Sequence, residues 1–349
     1  MRAVPSSPFG VTVTGDGRWA FVALSGSGAV GVYRVTGPGV PSLAGEISTT
    51  GQVLGEALAP GGRDLLVAND ADGAAVISVG RAESGQPGAV LGVLGTGSDD
   101  GAIEVAVSPD GRFAFVSLED SGSIAVYNLG QALATGFRAS DLVGTIPLGI
   151  APVGLAVSPD GRWLYATSEA AAGESLSSPT LGAQGTLTVI SLDRAETDPA
   201  RSVVATVDAG CSPVRVITSS DGSVVWVTAR GSDRLLGFSA ARLRTDPAHA
   251  LAISVMVGEA PVGLALVDGG TRIVVADSNR FGAPGAASGL AVVSVPAARE
   301  GRPALLGYLR AGSFPREMAL EPDGETLLAT NFTSQQLEAV SVAGLAGTP

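Results

Sequence analysis

The chain has 349 residues, of which 45% are hydrophobic, and its net charge is −12. This composition allows a large buried core, while the acidic balance disfavours nucleic-acid binding, which needs a basic surface. All 21 basic residues are arginine, and there is one histidine and one cysteine. Lysine chemistry, an internal disulfide, a multi-histidine or thiolate metal site and a Ser-His-Asp triad are therefore excluded or disfavoured.

One unit recurs seven times along the chain and reads as strand, tight turn, strand, loop, strand. In the copy at residues 102–129, apolar residues alternate with others on both sides of the turn Ser108-Pro109-Asp110-Gly111, a pattern typical of antiparallel strands. The glycines that close the seven turns are 45 to 61 residues apart: Gly17, Gly62, Gly111, Gly161, Gly222, Gly270 and Gly324. A fourth strand ends six of the copies, and four strands per repeat of this length predict a β-propeller.

The repeat predicts an all-β fold, a seven-bladed β-propeller of four-stranded antiparallel blades that forms a single domain over residues 1–349. The blades are expected at residues 8–51, 52–97, 101–149, 151–210, 212–258, 260–312 and 314–349 plus 1–5. Because the seventh copy ends after its third strand, Arg2-Ala3-Val4 are expected to supply the fourth strand and close the ring. The aspartates of the turns recur in blade after blade, so they are interpreted as turn chemistry rather than as ligands.

The motif P-x-G-[hydrophobic]-A-V-S-P-D-G-R, followed by S-G-x-[IL]-x-V, is clearest at Pro152–Ala166 and Glu104–Leu129. It resembles the YVTN-type β-propeller repeat, and the resemblance covers essentially the whole chain. The resemblance implies the propeller fold. Similar proteins include lactonase-like propellers, exported propellers of uncertain role, a DNA-binding periplasmic member and the haem d1 domain of nitrite reductase. The histidines for haem and a lactonase motif with catalytic histidine are missing from this sequence, and DNA binding conflicts with the charge.

In a propeller whose strand A lines the central channel, the D–A and B–C loops share one face, here called the top. The A–B turns and C–D loops share the bottom. Two insertions, Ala170–Gly185 and Asn279–Ser288, fall in B–C loops and are expected to frame a site on the top face. The C–D loops carry many arginines, which are interpreted as a solvated bottom rim, with a partner surface as the alternative.

Comparison of the seven copies with one another identifies a charged set at the start of strand A. Seven residues before each turn glycine come the residues of the channel ring: Gly10, Gly55, Glu104, Gly154, Arg215, Gly263 and Glu317. Charges that converge in a confined channel must be paired or used. Arg215 is predicted to hold an anionic or carbonyl oxygen, with Glu104 or Glu317 as general acid or base. The alternative is a salt-bridged plug, or hydrated residues in an open channel.

Further polar residues near the same end of the propeller are candidates for ligand binding, with capping of loop backbone as their alternative role. These candidates are Glu56, Asn69, Glu169, Asp277, Asn279, Arg280, Arg316 and Asn331. No cofactor is predicted, although such oxygen ligands are of the kind that hold Ca²⁺ or Mg²⁺. Cys211 has no histidine near it in sequence, and His249 falls at the bottom edge, so neither is a leading catalytic candidate.

The sequence predicts a small-molecule-acting propeller with its site at the top mouth of the channel. Its chemistry would be lactonase-like or a related cofactor-independent acid–base reaction: hydrolysis, elimination or isomerisation. The alternative is a non-catalytic interaction or ligand-binding scaffold. A monomer without nucleic-acid partner or membrane span is expected. Residues 1–13 lack the basic start and apolar core of a signal peptide, so the chain as written is expected in the cytoplasm. An export signal upstream would instead make it secreted or periplasmic.

Overall fold

A computed structural model describes residues 1–98, 100–173, 183–282 and 289–343. Within these ranges the protein is built almost entirely from short β-strands. In chain order they are β1 (Arg2–Ala3), β2 (Pro8–Val13), β3 (Trp19–Leu24), β4 (Ala29–Arg34), β5 (Ser42–Ser48), β6 (Val53–Leu58), β7 (Asp64–Asn69), β8 (Ala74–Ser78), β9 (Val90–Leu94), β10 (Ala102–Val107), β11 (Phe113–Leu118), β12 (Ser123–Asn128), β13 (Leu142–Pro147), β14 (Ile150–Val157), β15 (Trp163–Ala170), β16 (Gln184–Ser191), β17 (Val203–Cys211), β18 (Pro213–Thr218), β19 (Val224–Ala229), β20 (Arg234–Ser239), β21 (Leu251–Met256), β22 (Pro261–Val267), β23 (Arg272–Asp277), β24 (Gly289–Ser294), β25 (Leu305–Arg310), β26 (Pro315–Leu320), β27 (Thr326–Asn331) and β28 (Gln336–Ser341).

The strands form seven four-stranded antiparallel sheets, which are the blades of a propeller. Blades 1 to 6 each take four consecutive strands, from β2–β5 in blade 1 to β22–β25 in blade 6. Blade 7 has the order β26-β27-β28-β1, with Arg2 opposite Leu337 and Ala3 opposite Gln336. The predicted seven-bladed fold is confirmed, and so is its closure by the N-terminal segment, which supplies the strand that the last repeat lacks.

Short helices occupy the connection between the third and fourth strands of five blades. They are α1 (Val79–Glu83), α2 (Leu129–Thr135), α3 (Leu192–Ala195), α4 (Ala240–Thr245) and α5 (Val295–Arg299), with 3₁₀ turns at Ala139–Asp141, Pro199–Arg201, Arg230–Ser232, Pro247–His249 and Asp268–Gly270. Glu196, just after α3, lies 3.5 Å from Arg112 in the A–B turn of the preceding blade. The C–D segments and A–B turns therefore share the bottom face, as expected. Among the described residues, none of the helices has the length and apolar character needed to span a membrane.

The core lies between the blades, and the second and third strands of the blades are its most buried parts. All six residues of β3, β11 and β19 are buried, as their mainly apolar character predicts for a strand covered on both faces. The largest of these side chains, Trp226, is fully buried and belongs to blade packing.

The A–B turns are closed by their own side chains. In blade 3, Ser108 Oγ donates a hydrogen bond to Asp110 at 2.7 Å, and the same carboxylate accepts from the backbone N–H of Arg112 at 3.0 Å. Gly111 completes the turn with φ +73°, a left-handed conformation that glycine adopts without a steric cost. The serine, aspartate and glycine of this turn motif thus have a local structural use.

Candidate functional site

The three charged residues of the channel ring form one ion-paired cluster. Arg215 Nε donates to Glu317 Oε1, and Arg215 Nη2 lies 3.5 Å from Glu104 Oε2. The three side chains are only 7% to 18% exposed. Burial raises the pKa of Glu104 to about 7, although the nearby charge of Arg215 opposes this rise. The structure therefore brings the three predicted catalytic residues together, in a paired arrangement.

A hydroxyl on the second strand of the same blade fixes the backbone of each charged residue. Thr228 Oγ1 accepts a hydrogen bond from the N–H of Arg215 at 3.2 Å and donates one to the carbonyl of Val262 in the next blade at 2.6 Å. The register of strand A shifts at this point, between Pro213 and Arg215, so the sheet ladder is interrupted there. The same arrangement recurs at Ser117, Thr167 and Thr330. These hydroxyls also join neighbouring blades around the channel.

A cavity of about 140 Å³ adjoins Arg215 at the top mouth of the channel. Two sets of repeat-equivalent residues build most of it. The mouth ring, whose members each precede a channel-ring residue, comprises Phe9, Leu54, Ile103, Val153, Val214, Val262 and Arg316. The rim ring, aligned with the residue after strand β11, comprises Ser25, Asp70, Glu119, Glu169, Arg230, Ser278 and Phe332. The cavity is lined by Ile103, Glu119, Val153, Glu169, Val214, Arg215, Arg230, Val262, Arg280 and Arg316.

Arg316 is the one charged member of the mouth ring, and aromatic rings hold it in place. Its guanidinium carbon lies 3.5 Å from the centroid of the Phe9 ring, 5.4 Å from that of Phe314 and 5.6 Å from that of Phe332. Within the described part of the chain, no carboxylate forms an ion pair with Arg316, and its buried Nε has no hydrogen-bond acceptor. Burial, reinforced by the charge of Arg215, lowers the pKa of Arg316 to about 9.

The rim of the cavity carries a second ion pair and a separate acid. Arg230 Nη2 donates to Glu169 Oε2 at 2.5 Å, and both side chains are largely buried. Burial lowers the pKa of Arg230. Glu119 lies on the same rim, where burial and then the charge of Glu169 raise its pKa. The cavity therefore combines four guanidinium groups, two carboxyl groups and an aliphatic wall.

Three of the eight predicted ligand-binding residues line this cavity: Glu169, Arg280 and Arg316. Asn69 and Asn331 instead have side-chain partners within their own blades and the adjoining loops. Asn69 donates to the carbonyl of Thr50, and Asn331 Nδ2 donates to Glu338 Oε2 at 2.9 Å. The contact of Asn69 is of the backbone-capping kind that was the alternative interpretation, whereas that of Asn331 joins two side chains.

The remaining candidates also lie away from the cavity lining. Asp277 is buried against Gly258, and burial raises its pKa to about 8. Glu56 is buried between the first strands of blades 1 and 2, with its Cγ beside Gly10. The backbone N–H of Asn279 donates to the carbonyl of Glu259 at 3.1 Å. Of the two top-face insertions, residues 174–182 and 283–288 lie outside the described residues.

Sequence reasoning missed Glu119 and Arg230, although the repeat contained the signal. The predicted candidates Asn69, Asp277 and Asn331 are the last residues of their second strands, and their side chains are buried within the blades. The rim ring lies one residue further on, where side-chain direction reverses in a strand. Its members from blades 3, 4 and 5 reach the cavity. No group of three or more His, Cys, Asp or Glu side chains in the described ranges is arranged to hold a metal ion.

Fold and site together define a seven-bladed β-propeller with an arginine-rich cavity at its channel mouth. Among solved structures, the chain is similar to the hydrazine synthase of Kuenenia stuttgartiensis, with a TM-score of 0.73 and 16% sequence identity. The match covers 98% of this chain and 97% of that chain, and at this identity it shows the fold alone. No protein-family model and no curated protein matches the sequence. Membership of the YVTN-type repeat family is therefore not shown.

Proposed function

We propose that this propeller binds a small molecule in the mouth cavity and catalyses acid–base chemistry on it, with hydrolysis of a cyclic ester as the leading reaction. The observation that carries the proposal is Arg316, a guanidinium that lines the cavity without a carboxylate partner among the described residues. Such a preorganised donor stabilises an oxygen that gains negative charge during reaction. The lactonase-like resemblance of the repeat agrees with this reaction class.

Glu119 is the acid–base residue in this proposal because it lines the cavity and has no ion-pair partner among the described residues. Its carboxylate takes a proton from water as the water oxygen attacks the lactone carbonyl carbon. Arg316 holds the carbonyl oxygen as it becomes negative. The ring C–O bond then breaks, and the leaving oxygen takes the proton back from Glu119, which gives a hydroxy acid. Glu104 and Glu317 hold Arg215 in place beneath the ligand.

The test measures the hydrolysis of a panel of five- and six-membered lactones. Acid release in weakly buffered solution reports the rate. We expect wild type to hydrolyse at least one lactone and Glu119→Gln to lose a hundredfold or more of kcat, since general acid–base catalysis contributes about 10²–10⁴-fold. Asp120→Asn is the matched control, because Asp120 is the adjacent exposed acid and does not line the cavity. No hydrolysis above the buffer rate, or equal rates for wild type and Glu119→Gln, would refute the proposal.

A non-catalytic ligand-binding propeller is the second candidate, and one observation favours it. Glu104, Arg215 and Glu317 satisfy one another in ion pairs, so no member of the channel ring is left free to react. If the propeller only binds its ligand, we expect binding that depends on Arg316 and no hydrolysis of any lactone in the panel. The same lactone assay, run beside a binding measurement, separates the two candidates.

A further inference from the structure

Three buried guanidinium nitrogens at the mouth cavity have no hydrogen-bond acceptor among the described residues. They are Nε of Arg316, Nε of Arg230 and Nη2 of Arg215, and all three residues line the cavity. Buried polar groups in native proteins are nearly always satisfied, and a guanidinium can only donate. The three guanidinium groups therefore have unused donor capacity beside one cavity, and the ligand that suits such a cavity is a hydrogen-bond acceptor.

The charges around the cavity call for an acceptor that is negative. Glu169 is already paired with Arg230, and the two glutamates of the channel ring are paired with Arg215. In the described part of the chain, no such ion-pair partner is present for Arg316, although it lines the cavity. Arginine binds carboxylates with two parallel hydrogen bonds, a geometry that a halide does not offer.

The walls and the volume limit the rest of the ligand. Ile103, Val153, Val214 and Val262 supply an aliphatic lining that offers side-chain methyl groups to a ligand. A water molecule takes up about 30 Å³ in the liquid, so roughly 140 Å³ suits a ligand of about five to eight non-hydrogen atoms. Phosphate and sulfate lack an apolar part that would use this lining.

We propose that the cavity's ligand is a small aliphatic monocarboxylate, with its carboxylate on the guanidinium of Arg316 and its chain against the aliphatic wall. This inference rests on the proposed function, since it names the chemical class that the same site takes. The hydroxy acid released by lactone hydrolysis belongs to this class, so such a carboxylate would act as a product-like inhibitor.

The first test uses wild type and needs no substitution. Calorimetry at pH 7 and constant sodium concentration compares butyrate with butyramide, which has the same shape but no charge, and with inorganic phosphate. We expect butyrate to bind at least tenfold more tightly than either. Equal binding of butyramide, tighter binding of phosphate, or no binding of butyrate would each overturn the inference.

The second test locates the site with a matched pair of variants. Arg316→Met removes the guanidinium from the aromatic cage and is expected to weaken butyrate binding tenfold or more. Arg244→Met is the control, because Arg244 also stacks on an aromatic ring, that of Trp163 at 4.9 Å, but on the bottom face. Equal loss in both variants, or in neither, would overturn the assignment, and circular dichroism checks that both variants are folded.

The outcomes also separate this inference from the proposed function. If wild type hydrolyses a lactone but butyrate neither binds nor inhibits, the inference fails and the proposed function stands. If butyrate binds through Arg316 and no lactone is hydrolysed, the inference stands and the propeller is a carboxylate-binding protein without turnover. Failure of both measurements refutes the mouth cavity as a small-molecule site.

Discussion

Replacement of Glu56 by glutamine tests how strongly the channel interior disfavours charge. The Glu56 carboxyl is buried between β2 of blade 1 and β6 of blade 2, and no cation pairs with it in the described part of the chain. Burial, and next the negative charge of Glu104, raise its pKa from 4.5 to about 8, while the backbone of Thr12 partly opposes the rise. The carboxyl is therefore protonated in the folded protein at neutral pH.

The sign and size of the effect follow from proton linkage. Because the folded-state pKa lies above the unfolded one, the folded protein binds more protons between pH 4.5 and about 8, and stability falls as pH rises through this window. At roughly 1.4 kcal/mol per pKa unit, the full loss is at most about 5 kcal/mol. With an unfolding entropy of about 2.1 cal/mol/K per residue over 349 residues, this corresponds to about 7 °C in Tm.

We expect Glu56→Gln to differ little from wild type at pH 5 and to melt up to about 7 °C higher at pH 9. Calorimetric or dye-based melting curves at both pH values give the comparison, and the change between them removes any constant effect of the amide. Glu300→Gln, an exposed glutamate on the bottom face, is the matched control. The reasoning about burial is refuted if the Tm difference between Glu56→Gln and wild type is the same at pH 5 and pH 9.

Two further substitutions test how the channel ring is packed and held. An alanine methyl group at Gly55 would overlap the carboxyl of Glu104, so Gly55→Ala is expected to destabilise by about 1–3 kcal/mol in chemical unfolding. Gly80→Ala, with open space around it in α1, is the control and should be neutral or stabilising; equal losses would contradict the overlap. Thr228→Val leaves two buried backbone groups without partners and is expected to cost about 1–3 kcal/mol or more. Thr188→Val, whose hydroxyl pairs with another side chain, should cost less, and the reverse order would sink the argument.

The fold could be predicted from the sequence because the same pattern of strands and turns recurs seven times. Each A–B turn carries glycine at its close, so the strands on either side could be aligned without other proteins. The position of the N-terminal segment followed from counting strands: β28 had no outer neighbour in its own repeat, and Arg2–Ala3 had no other blade to join. The repeat therefore allowed the pairing of β1 with β28, at opposite ends of the chain, to be predicted. A strand that is not part of a repeat does not indicate its partner in this way.

The site could be predicted only in part, because side-chain direction near a bulge is not visible in the sequence. The channel ring was found from the repeat, and the structure does place Glu104, Arg215 and Glu317 together. Which carboxylate pairs with which guanidinium depends on the angles between blades and on the bulge in strand A. The same uncertainty by one residue selected Asn69, which bonds loop backbone, and Asn331, which bonds Glu338, in place of the rim ring.

The pattern of the channel ring explains why the mouth keeps an unpaired arginine. Charged members occur only in blades 3, 5 and 7, and each has glycine in both neighbouring blades. The glycines supply the missing volume: an added Cβ at Gly154 would contact the Arg215 backbone, and one at Gly263 would contact that of Glu317. The channel holds three long side chains, and two of them, Glu104 and Glu317, both form ion pairs with the third, Arg215. Arg316, one residue outside this ring, therefore forms no ion pair among the described residues and lines the cavity beside Arg215.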